Sequence, residues 1–143
     1  MKSLNAKLAK FAALPWSERR TLLAAVALLP LFWLGLQCFG LRRLQAWLQR
    51  PPATNASISM NEIARLAALV NSAAGLAPIP ATCLTRSLLL GWMLQRRGVT
   101  SQLRIGVRTN QGKLDAHAWV EYAGVPINDQ PDVGQQFAAF QSP

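Results

Sequence analysis

Three side chains have the types and the order of a nucleophilic site: Cys83, His117 and Asp129, separated by 34 and 12 residues. Histidine beside a thiol takes its proton or holds the thiolate as an ion pair. A carboxylate fixes the ring tautomer and favours the imidazolium. Such a thiolate attacks a carbonyl to form a thioester, histidine protonates the leaving amine, and water releases the acyl group. Backbone N–H groups at a helix start, including that of Cys83, suit the oxyanion. His117 is the sole histidine in 143 residues, which excludes any site built on two imidazoles. Cys38 and Cys83 are the only cysteines, too few for a secreted disulfide framework. No HExxH, CxxC, P-loop or dinucleotide fingerprint occurs, so neither a metal nor a cofactor is expected.

The elements that must carry these residues follow from capping and periodicity. Residues 82–98 predict a helix: Thr82 caps it, Leu84, Leu88 and Trp92 share a face, Arg96 and Arg97 suit its negative end, and Gly98 stops it. Cys83 then lies in the first turn, where unpaired N–H groups and the positive dipole end favour a thiolate. After Gly98 the period becomes two. Leu103, Ile105 and Val107 mark a strand, and Thr109 to Gly112 form a hairpin loop. A second strand spans 114–121, with Asp115, His117, Trp119 and Glu121 on one face. A three-residue loop, Tyr122-Ala123-Gly124, predicts a third strand at 125–129 in which Asp129 lies directly opposite His117. Asp115 is a rival orienting acid and Asp132 a weaker one. Trp119 is a candidate wall of the site or substrate contact. Arg86, one turn after Cys83, is a candidate for holding a peptide carboxyl. Glu121 reads as a structural pair partner. Helices followed by a small antiparallel sheet make the fold class α+β.

The first third is different in kind. Residues 1–50 hold eight Lys/Arg against the single Glu18, whereas residues 51–143 hold seven against five acids. No charge interrupts 21–41, which is long enough to span a bilayer. Pro30, Gly35 and Gln37 favour instead two helices, about 17–29 and 31–49, packed on the rest of the protein and suited to touch a membrane. In the second, Leu34, Cys38, Leu41, Leu44 and Leu48 form a stripe, with Cys38 as a small buried hydrophobe. A linker follows at 50–55. Ser59 and Glu62 form a capping box that opens a helix with Ile63, Leu66, Ala67 and Val70 on its apolar face. Gly75 is placed to end that helix as a left-handed cap, and 76–80 reads as extended. The domain organisation expected is a basic, apolar helical extension at 1–50 and a core at 51–143. No DNA-binding motif or aromatic RNA-binding signature accompanies the charge, so a nucleic-acid partner is not expected.

Cys83-Leu-x-Arg-Ser, the Arg96-Arg97-Gly98 helix end and His117-Ala-Trp-Val-Glu together resemble the transglutaminase-like cysteine peptidases of lasso-peptide biosynthesis, over about residues 80–134. The resemblance implies a papain/transglutaminase-like core, in which a helix bearing Cys packs on a small antiparallel sheet. It also implies catalytic roles for Cys83, His117 and Asp129 and a location in the cytoplasm. Peptidases of this family remove the leader from a ribosomally made precursor, freeing the core peptide's amine for an ATP-dependent cyclase. Some members carry an N-terminal leader-binding domain. The basic, apolar first 50 residues show no such strand-and-helix module, so the chain resembles the stand-alone peptidase subunit, served by a separate leader-binding protein. Nucleotide dependence is associated with the family, yet no phosphate-binding motif is present. Two other functions compete: a transglutaminase-like acyltransferase, in which an amine intercepts the thioester, and a non-catalytic membrane-associated interaction module.

Overall fold

The structure, a computed structural model, describes residues 2–49 and 57–140. The linker expected at 50–55 lies outside the described residues. Helix α1 (Lys2–Ala13), which the sequence reading did not assign, precedes the long helix α2 (Trp16–Leu48). The expected break at Pro30 is absent: Pro30 lies inside α2, and the non-helical residue is Gly40, at φ 76° and ψ 168°. Proline removes one hydrogen bond and crowds one carbonyl, but here its neighbours Leu29 and Phe32 are buried in the core and hold the helix in line. Gly40 adopts a backbone conformation that side chains resist, and the chain turns sharply there. Leu44 Cδ1 comes within 3.2 Å of where a Cβ on Gly35 would sit; a straight helix would hold those residues about 13 Å apart. The stripe expected from Leu34 to Leu48 is therefore split. Leu44 is buried and Leu41 and Leu48 are partly so, whereas Leu34 is exposed. Cys38, expected to be buried, is exposed.

Helix α3 (Met60–Ala74) opens with the reciprocal capping box, in which the Glu62 N–H donates to Ser59 Oγ at 3.2 Å and the Ser59 N–H donates to Glu62 Oε2 at 2.9 Å. Gly75 does not form the left-handed cap. It stays right-handed, at φ −74° and ψ −13°, and the Ala77 N–H reaches the Ala73 carbonyl at 2.9 Å, continuing the helical pattern one residue further. The approach at 76–79 then runs through turn and bends rather than an extended segment. Helix α4 (Cys83–Arg96) has its Thr82 cap and ends as expected: Val99 N–H reaches back to the Leu94 carbonyl at 3.0 Å around Gly98.

Leu22, Ala25, Leu29 and Phe32 of α2 recur at three- and four-residue spacing and share one core with Ile63, Leu66 and Val70 of α3 and Leu89, Leu90 and Leu94 of α4. Helix α4 lies between these helices and the sheet, where Leu88 and Val120 belong to the same core. The sheet is antiparallel, in the order β3 (Val125–Pro126), β2 (Lys113–Tyr122), β1 (Gln102–Asn110), β4 (Ala138–Ala139). A short helix, α5 (Val133–Gln136), precedes β4.

Two consequences are measurable. In β1, Gly106 pairs with His117, and a Cβ there would lie 2.8 Å from Phe137 Cβ and 3.0 Å from the Trp119 ring. Gly106→Ala will destabilise the fold by about 1–3 kcal/mol through overpacking, seen as a lower urea midpoint. Separately, Arg65 of α3 donates two bonds of 2.8 Å to Glu18 of α2. Hydrogen bonding to the guanidinium, reinforced by its charge, holds the Glu18 carboxyl below its ordinary range. The pair's contribution is thus present above the unfolded carboxylate pKa and disappears as pH falls through the lowered one. Glu18→Gln will lose this small contribution at neutral pH and match the wild type in strong acid, so the acid side of its thermal-stability profile will be slightly shallower.

Candidate active site

Cys83 is the first residue of α4, with a free, half-buried thiol. The Thr85 N–H is taken by Thr82 Oγ1 at 3.3 Å; the other N–H groups of the first turn have no intrahelical acceptor upstream and point toward the entry of the helix. His117 stands in the middle of β2, half-buried, and its Nε2 is hydrogen bonded to Asp129 Oδ2. The other carboxylate oxygen of Asp129 accepts from the Gln130 N–H at 2.8 Å. The structure thus brings His117 and Asp129 together. The Cys83 thiol makes no hydrogen bond among the described residues.

Asp129 reaches His117 by a route different from the one expected. The loop after β2 has two residues, Ala123 and Gly124, both at positive φ, and pairs Tyr122 with Val125 and Glu121 with Pro126. On that register a continued strand would carry Asp129 to the wrong face of the sheet. The strand ends at Pro126 instead, and 127–129 bend away from it. Asn128 takes over where the ladder stops. Its Oδ1 accepts from the Val120 N–H at 2.8 Å, and its Nδ2 donates to Ser87 Oγ at 3.1 Å. Ser87 Oγ donates in turn to the Ala118 carbonyl at 3.2 Å, and Asn71 Nδ2 of α3 donates to the Asn128 carbonyl at 3.3 Å. Ser87 is one helical turn beyond Cys83 on the same face, and Ala118 follows His117. This amide therefore ties the segment carrying the acid to the helix carrying the thiol and to the strand carrying the imidazole.

The imidazole is packed as well as hydrogen bonded. Its ring lies 6.2 Å from that of Trp119 at 25° and 5.0 Å from that of Phe137. Trp119 and Phe137, with Val133, form a small second core on this side of the sheet. Trp119 has no exposed surface, so it supports the imidazole and offers nothing to a peptide. Its Nε1 donates to Glu121 at 3.0 Å, and Arg104 donates to the other Glu121 oxygen at 3.0 Å, the structural pairing expected of Glu121. Asp115, the rival acid, is engaged by Arg108 at 3.0 Å. Asp132 accepts from the Gln136 side chain at 2.9 Å. Arg86 is half-buried and forms no ion pair among the described residues. Among the described residues no group of three or more His, Cys, Asp or Glu is arranged to hold a metal ion.

Ser87, Asn128, Asn71 and Phe137 were missed in the sequence. One signal was available: Ser87 interrupts an apolar helix face, a position where a hydroxyl needs a partner.

The family model of the transglutaminase-like superfamily matches residues 25–142. The chain belongs to that superfamily, which includes cysteine peptidases and acyltransferases. Searches of curated proteins and of solved structures gave no match.

Because His117 is the only histidine, its imidazole signals are assigned without ambiguity. Asn128→Ala frees the Asp129 segment and will shift and broaden them in NMR spectra. Ser87→Ala leaves the Asn128 amide and the Ala118 carbonyl without their buried partner, and will cost about 1–3 kcal/mol in urea unfolding.

Proposed function

We propose that the chain is a cysteine endopeptidase that cleaves the leader from a lasso-peptide precursor, with Cys83 as nucleophile, His117 as acid–base and Asp129 as the acid that orients it. The observation that carries this reading is the His117 Nε2–Asp129 pair in the sheet of a transglutaminase-like chain whose cysteine opens a helix. The sequence resemblance over residues 80–134 supplies the substrate class.

With Nε2 committed to Asp129, Nδ1 is the nitrogen left to take the thiol proton. The thiolate attacks the carbonyl carbon at the end of the leader. N–H groups of the first turn of α4 stabilise the oxyanion. The imidazolium returns its proton to the departing amine of the core peptide, leaving the leader as a thioester on Cys83. A water then loses a proton to His117, attacks the thioester, and frees the leader as a carboxylic acid while the thiol is regenerated. Throughout, Asp129 keeps the ring in one tautomer and favours its charged form. A separate leader-binding protein presents the precursor in the cytoplasm, and an ATP-dependent cyclase uses the amine released.

The test is incubation of the protein with its leader-binding partner and precursor in ¹⁸O-water, followed by mass spectrometry. Leader release with one labelled oxygen at its new C-terminus is expected. Cys83→Ala will abolish release, and His117→Ala will lower the rate on the order of a thousandfold or more. Full cleavage by Cys83→Ala would reject the assignment. Replacement of the labelled acid by an adduct of an added amine would identify acyl transfer instead.

A further inference from the structure

We infer that the outward face of α2 docks on an anionic lipid bilayer, with the helix lying in the membrane plane rather than crossing it. One side of this helix faces the core through Leu22, Ala25, Leu29 and Phe32, all buried. The other side is apolar as well. Trp16, Leu23, Leu31 and Leu34, spaced along the helix, are between 51% and 72% exposed. Ala27 and Cys38 extend the same row and are also exposed. From Trp16 to Cys38 this stripe is about 33 Å long. Among the described residues α2 is the one helix long and apolar enough to cross a membrane, yet only 22% of its most apolar window is buried. A soluble surface rarely leaves so much contiguous apolar area in water.

The charges around the stripe point to lipid. Arg20 stands exposed near one end, and Arg42 and Arg43 stand exposed beyond the other. Glu18, the single acid of residues 1–50, is already engaged by Arg65, so it does not neutralise them. At the sharp turn, Phe39, Gly40, Leu41, Arg42, Arg43 and Ala46 line an open hollow of about 640 Å³. Trp47, 62% exposed, packs on Phe39 with ring centroids 4.7 Å apart. Thus an apolar row bears a tryptophan and arginines toward each end. Tryptophan and arginine are the residues that anchor at the headgroup level, where indoles sit at the interface and guanidinium groups meet phosphates. A self-associating face needs no such cationic ends. A spanning helix would have to withdraw Leu29 and Phe32 from the core they share with α3 and α4.

The inference stands apart from the catalytic assignment, because it is read by vesicle binding alone. The full chain is floated with vesicles of phosphatidylcholine and with vesicles containing about a third phosphatidylglycerol. Binding to the anionic vesicles is expected, weakened by raised salt and reversed by alkaline carbonate. The exposed-site variants Leu31→Glu with Leu34→Glu, and separately Arg42→Glu with Arg43→Glu, should each reduce partitioning by roughly tenfold or more, with circular dichroism unchanged. If the leucine variant fails to fold, the arginine variant decides. Failure to float overturns the inference, as does undiminished binding by the folded variants. Resistance to carbonate extraction overturns the in-plane arrangement in favour of a span. A dimer in light scattering that the leucine variant dissolves overturns the lipid assignment in favour of a second copy of the chain.

Discussion

The hydrogen bond between His117 and Asp129 sets the demand that much of the surrounding structure meets. Its donor and acceptor come from elements of different rigidity. His117 belongs to a strand paired with β1 from Lys113 to Glu121, whereas Asp129 follows a strand of two residues and sits on a bend. A carboxylate on such a segment would lose conformational entropy on meeting the ring. Asn128, with bonds to Val120, Ser87 and Asn71, fixes the segment before that cost is felt at the site. Positioning the acid is therefore the work of a neutral amide one residue earlier.

The ring is held from the other side by packing. Gly106 opposite His117 leaves room for Trp119 and Phe137 to approach the strand. These two rings restrict the imidazole without competing for its nitrogens. Trp119 satisfies its own N–H on Glu121, so its burial leaves no orphaned donor. Helix α4 connects this arrangement to the helical layers. The face that continues from Cys83 carries Ser87 to the sheet, and Leu89, Leu90 and Leu94 anchor the helix against α2 and α3. The first third of the chain is thus part of what fixes the height and direction of the thiol, and its outer face is free for a different task.

Local signals in the sequence were legible where one residue type controls one geometry. The Ser59–Glu62 box, the Thr82 cap and the helix stop at Gly98 all appear where periodicity and capping place them. The alternation that puts His117, Trp119 and Glu121 on one face of a strand was likewise readable. Competing signals were not. Pro30 and Gly40 both break helices, and only the burial of Leu29 and Phe32 shows that the first is tolerated. Gly75 can cap left-handed or continue right-handed, and the difference depends on where Ala77 finds its acceptor. The loop at Ala123 and Gly124 is one residue shorter than expected. The predicted partnership of His117 with Asp129 nevertheless holds, because the chain leaves the sheet before the register error takes effect. The Asn128 strap was illegible because two of its three partners, Ser87 and Asn71, are distant in sequence.

The account rests on His117 and Asp129 acting on the Cys83 thiol, and the second cysteine provides an internal reference. Cys38 is exposed and far along the chain from any histidine or acid of the site. The most direct measurement is competitive alkylation with iodoacetamide across pH, with both cysteines quantified by mass spectrometry in the wild-type protein and in His117→Ala and Asp129→Ala. The account predicts that Cys83 outpaces Cys38 at neutral pH and that this lead is lost in both variants while Cys38 is unchanged. Identical Cys83 profiles in all three proteins would contradict it.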